Sequence, residues 1–211
     1  MALSELCEKL DRSLGLMVGQ HLPAQPDSRA AGAHIEQAVV DSWGQTCEEL
    51  AVEPQPRPGR RSIFDAALVL EGQLIGVDVR TKELDDGLYS DGGICSVNNL
   101  PRFLMMDRAI LLISEIGYRV ADGEINLAYV KSAPIHCLPI TAFRIENLGT
   151  GQVRLDEPVA QLEVDWRRDV VAFSKEFAAL AADHYEKVIG VANRRKAAMD
   201  EFTSGGSLKL R

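Results

Sequence analysis

The sequence predicts an α/β (α+β) chain, a central mixed β-sheet flanked by helices, on three observations. Apolar residues recur at helical spacing near both ends of the chain. Between about residues 62 and 131 they recur at every second position, the period of a strand. Turn sequences, "EGQ" and "ADG", punctuate that middle stretch. Helices at the ends and strands between them give one layered core, not separate units.

The elements follow in order. Leu3, Leu6, Leu10 and Leu14 set a helix over 3–18. "PAQPDSRAAG" (23–32), with two prolines, reads as a linker. A second helix covers 33–50, with Ile35, Val39, Trp43 and Cys47 or Leu50 as its buried stripe. "EPQPRPGRR" (53–61) is too rich in proline for a regular element. "SIFDAALVL" (62–70) and "LIGVDVR" (74–80) form an antiparallel hairpin about the "EGQ" turn. "AILLISEIGYRV" (109–120) is a central strand, and "EINLAYVK" (124–131) follows the turn at 121–123. From Asp165 to about Met199 the pattern is helical again, through Trp166, Val170, Phe173, Phe177, Leu180 and Tyr185, with Gly190 as a possible break. Residues 1–204 thus read as one domain: helix and linker to 32, a core over 33–160, a helical region over 165–200. The tail 205–211 is expected to be disordered.

Composition narrows the function. The 211 residues are 46% hydrophobic and 26% charged, which suits a soluble core. No run approaches the roughly 18–20 apolar residues that span a bilayer. The N-terminal segment carries acids among its leucines and lacks a basic start, so the chain is expected to be cytoplasmic. Cys7, Cys47, Cys95 and Cys137 are scattered without a CxxC pair, as reduced core cysteines are. A net charge of −8 argues against a protein that merely coats nucleic acid. It leaves room for a local cleft whose acids hold a divalent cation.

"GVDVRTKE" (76–83) is the stretch that carries chemistry. Asp78, Arg80 and Lys82 alternate with Val77 and Val79, so the charges share one face of the strand. A solvated edge strand would show the same alternation. Asp65, on the first strand of the hairpin, comes close to Asp78 when the strands pair. Two apposed carboxylates repel unless a cation lies between them. Mg²⁺, which takes a few carboxylate oxygens and keeps waters, suits such a pair, and Arg80 or Lys82 is placed to hold a phosphate beside it.

Asp, about a dozen residues, then Asp-x-basic on a hairpin resembles the PD-(D/E)xK nuclease motif. "LIGVDVRTKE" is similar to the "IDIKTTY" segment of EcoRV- and HincII-type restriction endonucleases. "LYSDGGICSVNNLPRFL" (88–104) and the late "DWRRDVVAFSKEFAALAADHYEKV" resemble that family in layout, over about two-thirds of the chain. The resemblance implies a restriction-endonuclease-like fold. It also implies a type II endonuclease that cuts double-stranded DNA with Mg²⁺, or Mn²⁺ in its place, to leave 5′-phosphates. It further implies a homodimer on a palindromic site. Asp65 and Asp78 would hold the metal, joined by Glu36 from the early helix, although a solvated surface acid is the reading its position favours.

Two departures stand out. Phe64 replaces a common Pro, and Arg80 replaces the usual catalytic Lys. Arginine stays protonated and clamps phosphate but accepts no proton. Either Arg80 serves, or Lys82 one pleat along does, or the enzyme is weakened. For DNA contacts the resemblance and chemistry point to Asn98, Asn99 and Arg102, and to Asn147, Thr150, Gln152 and Arg154 in a loop that also reads as a hairpin turn. Arg60 and Arg61 are placed for backbone phosphates. The alternatives are a DNA repair or recombination nuclease, and a nuclease-fold protein that binds DNA without cutting. No glycine-rich phosphate loop or nucleophile triad supports a small-ligand enzyme.

Overall fold

A computed structural model describes residues 1–18, 22–23, 25, 27–56, 59, 62–84, 93–106, 109–146 and 151–203. Helix α1 (Leu3–Val18) buries Leu6, Leu10 and Leu14 completely, the face its leucine spacing dictates. Each such side chain contributes roughly 1.5–3 kcal/mol of transfer free energy. Helix α2 (Ser28–Asp41) begins five residues before the expected start, within the stretch read as linker. The Asp27 side chain caps it, accepting the Ala30 N–H at 2.7 Å. Residues 33–50 are not one helix but two, α2 and α3 (Trp43–Glu49). The break falls at Ser42, whose hydroxyl bonds back to the Ala38 carbonyl at 2.5 Å. Trp43 then turns inward and donates its Nε1–H to the Ala67 carbonyl at 2.8 Å.

The nine strands of the described residues form two sheets. Short β1 (Leu22–Pro23) and β2 (Glu53–Pro54) edge the larger one, β2 lying inside the proline-rich stretch read as irregular. Between them lie β3 (Ala66–Leu70), β4 (Gln73–Glu83), β6 (Ala109–Ala121) and β7 (Glu124–Pro134), in the order β1-β7-β6-β4-β3-β2. The smaller sheet orders β5 (Cys95–Ser96), β9 (Gln152–Leu155) and β8 (Phe143–Glu146). Strands β3 and β4 pair antiparallel about Glu71-Gly72, both at positive φ (51° and 77°), the conformation of a two-residue hairpin turn. Strand β4 runs parallel to β6, the other ladders being antiparallel, so the sheet is mixed. Helices flank it: the fold is the expected α/β class with a central mixed sheet.

Each face of the large sheet has its own core. On one, Ile75, Val77, Val79, Leu112 and Ile116 pack with α1, α2 and α3. On the other, Leu111, Ile113 and Ala133 pack with the small sheet, α4 (Asn99–Leu104) and the first turns of α5 (Val170–Thr203) through Phe173 and Phe177. Helix α5 starts later than Asp165 and runs unbroken through Gly190; Trp166 lies before it, exposed. Among the described residues, no helix is long and apolar enough to cross a membrane.

Under α1, burial pushes Asp11 up to about 6, although Ser132 hydrogen-bonds to it and pulls the other way. A folded-state pKa above the unfolded value means that ionisation costs stability as pH rises through about 6. Asp11→Asn is therefore expected to raise the melting temperature at pH 8 and to leave it unchanged at pH 4.

Candidate active site

Strand β4 is internal, between β3 and β6, so the solvated-edge reading of its charges fails. Val77 and Val79 face the helical core, and Asp78 and Arg80 the opposite side. Asp78 is 3% exposed. Arg80 grips it with two bonds, Nε–H to Oδ2 at 2.5 Å and a terminal N–H to Oδ1 at 2.6 Å. The same terminal nitrogen donates to the Ile94 carbonyl at 2.9 Å. Ile94 in turn donates its N–H to the Val153 carbonyl at 2.7 Å, so Arg80 ties β4 to the small sheet.

Asp65 stands just before β3 and straddles Asp78. Its N–H donates to the Val77 carbonyl at 2.9 Å, and its Oδ2 accepts the Val79 N–H at 2.8 Å. Phe64 fixes this approach. Its ring lies on Gly76, where an added Cβ would come within 2.7 Å of it, and meets Phe103 of α4 edge-on at 5.6 Å. Phe64 shapes the backbone here by packing.

Burial pushes Asp78 up to about 7; Arg80 counters this, and the charges of Asp65 and Glu36 add to it. Glu36, half-buried on α2, is thus close enough to act on Asp78 electrostatically. Two carboxylates and a third nearby make a donor set suited to a hydrated divalent cation. Among the described residues no cluster of three metal-ligating side chains is assembled. Arg80 holds both carboxylate oxygens of Asp78, so a cation could reach Asp78 only if the guanidinium moved away.

The remaining expected residues divide. Lys82, half-buried, acts through its charge on Glu115 of β6. Gln152 lies opposite Ser96 where β5 pairs with β9, and Asn98 and Asn99 stand at the start of α4. Asn98 accepts a bond from the Tyr185 hydroxyl at 3.3 Å, and Arg102 is exposed on α4. Arg154 faces Glu146 across the β8–β9 ladder at 3.0 Å. Arg60, Arg61, Asn147 and Thr150 lie outside the described residues, as does the tail from 204. His34 of α2 has a buried Nε2 without a hydrogen-bond partner among the described residues.

Sequence reasoning missed Glu115. It lies beside Arg80 in the parallel register, buried, and accepts the Tyr129 hydroxyl at 2.6 Å. Burial raises its pKa, against the pull of Tyr129 and the backbone N–H groups of Val159 and Ala160. A lone acid within the apolar run 109–118 was the available signal. Gly117 makes the Tyr129–Glu115 bond possible: a Cβ there would lie 2.2 Å from the Tyr129 ring. Gly117→Ala is expected to cost about 1–3 kcal/mol in a denaturant titration by displacing that ring. All four cysteines are buried free thiols, and burial pushes Cys95, beside Asp78, up to about 12. Burial thus disfavours the thiolate form of Cys95.

No family model matches the chain, and no curated protein matches it. Among solved structures, it is similar to NlaIV restriction endonuclease, at 10% identity and a TM-score of 0.48, over 88% of this chain and 90% of that one.

Proposed function

We propose that the chain is a metal-dependent endonuclease of restriction type, hydrolysing phosphodiester bonds in double-stranded DNA. The observation that carries this reading is the trio on the hairpin: Asp65 straddling Asp78, with Arg80 one pleat along on the same strand. Asp65 and Asp78 would hold the cation, with Glu36 adding negative charge. When bound, Mg²⁺ supplies a Lewis acid that lowers the pKa of water and offsets charge growing on the phosphate. Arg80, once off Asp78, is a fixed cation for a phosphate oxygen. It accepts no proton, so it orients and stabilises and is not the base. Asn98, Asn99 and Gln152 offer amide groups suited to base edges beside that site. A homodimer on a palindromic site, leaving 5′-phosphates, completes the reading.

The Arg80–Asp78 pair also favours a second reading, a nuclease fold that binds DNA without cutting, since the pair closes the carboxylate to cations. Digestion of unmethylated plasmid and phage DNA in Mg²⁺, Mn²⁺ and EDTA decides between them. Discrete, metal-dependent bands support the restriction reading, and a metal-dependent smear a structure-directed repair or recombination nuclease. Specific binding with no cutting in either metal supports the second reading.

A further inference from the structure

We propose that the cavity beside Asp65 is a nucleobase subsite, taking one base turned out of the DNA stack at the point of cleavage. It deepens the proposed function and rests on it, naming the part of the substrate next to the reacting phosphate. The cavity measures about 250 Å³ and lies where α2 and α3 meet β2 and the start of β3. Val40, Trp43 and Pro54 give it apolar walls. Asp65 lines it as well as straddling Asp78, so the cavity and the candidate metal site share a wall. Val40 stands four residues after Glu36, one turn along the same face of α2. The cavity therefore adjoins the three acids.

Its walls are fixed before anything enters. The Ala67 carbonyl accepts both the Trp43 Nε1–H at 2.8 Å and the Gln55 backbone N–H at 2.9 Å, so one atom of β3 pins the indole and the chain after β2. The Gln55 side-chain amide, half-buried on the lining, makes no hydrogen bond among the described residues. Gly44 is a second, independent sign. It lies inside α3 on the lining, and a Cβ added there would meet nothing within 4 Å. Glycine weakens a helix relative to alanine, and neither a positive φ nor a close neighbour calls for one here. An occupant of the cavity would.

These features select a flat ring with a polar edge. Apolar walls with an aromatic side suit the face of a base, and a free amide offers its edge a donor and an acceptor. An alkyl chain would leave the amide unpaired. An anion would face the Asp65 carboxylate with no cation on the lining. Turning a base out costs its stacking in the duplex, which contact with the indole offsets. The phosphate of that nucleotide then lies at the Asp65 end, beside the proposed cation.

The test titrates the four deoxynucleoside 5′-monophosphates, with inorganic phosphate as control, into the full chain in Mg²⁺. Trp166→Phe removes the exposed second tryptophan, so that fluorescence reports Trp43. At least one nucleotide is expected to quench it with a Kd below about 1 mM, and phosphate to leave it unchanged. Gly44→Leu projects into the open space and is expected to weaken that binding about tenfold or more, with melting unchanged or raised. Gln55→Leu, which removes the amide, is expected to weaken it too. No quenching by any nucleotide, equal quenching by phosphate, or binding indifferent to both variants overturns the proposal. Plasmid cleavage is scored on the same preparations. Cutting without mononucleotide binding removes the cavity's role alone, and binding without cutting removes the nuclease reading alone.

Discussion

Asp65→Asn is expected to lower metal-dependent cleavage by about 10²- to 10⁴-fold while the chain stays folded. The substitution is isosteric, and the amide oxygen still accepts the Val79 N–H that Asp65 Oδ2 takes at 2.8 Å. The backbone bond to Val77 is untouched. What is lost is one of the two negative charges that would hold a cation. Asp78→Ala is a poorer probe, because it leaves the Arg80 guanidinium half-buried without its partner, a loss that costs about 3–5 kcal/mol. Cleavage rates in Mg²⁺ and a denaturant titration of the same Asp65→Asn sample check the prediction. A fully active variant would remove Asp65 from the mechanism, and an unfolded one would make its role structural.

Arg80→Gln is expected to produce the largest change in stability. In EDTA at pH 8 it leaves Asp78 buried beside Asp65 and Glu36 without a cation, at a cost of about 3–5 kcal/mol, or roughly 10 °C in melting temperature for a chain of this size. The pH dependence has a fixed sign. Asp78 sits near 7 in the folded chain, above the ordinary 3.8, so its charge costs stability as pH rises through that range. Arg80 holds the value down, and its loss moves it further up. The deficit should therefore be large at pH 8 and small at pH 5, where Asp78 takes a proton. Mn²⁺ or Mg²⁺ should restore much of it at pH 8, and the variant should bind either ion more tightly than the wild type by calorimetry. A melt that ignores both pH and cation would show that Asp78 takes neither role.

The parts that local pattern controls were legible. The leucines of α1 announced its buried face, and "EGQ" placed the hairpin because a two-residue turn fixes register by itself. That local register is why the Asp65–Asp78 pairing was readable from spacing. The parallel partner of β4 was not, because Leu74 meets Ala109 thirty-five residues on, and nothing in either segment encodes that match. The internal place of β4, the bridge from Arg80 to Ile94, and Glu115 beside Arg80 all depend on it. The split at Ser42 turns on a hydroxyl bond that periodicity does not register, and the early start of α2 on a cap hidden among prolines. Gly190 read as a break, since a glycine in an isolated helix is a weak point.

Parallel pairing of β4 with β6 also orders events in time. The β3–β4 hairpin is local, and hairpins close in about 1–10 μs. The β4–β6 ladder must first close a loop through β5 and α4, and non-local closures of this kind are slow. Asp65 and Asp78 therefore meet early on the folding path. The Ile94 carbonyl that steadies Arg80 arrives with the later closure. For that interval the hairpin carries two apposed acids in water, where their repulsion is screened and weak. Folding thus postpones the burial of the acids until the Ile94 carbonyl is there to hold Arg80 in place beside Asp78.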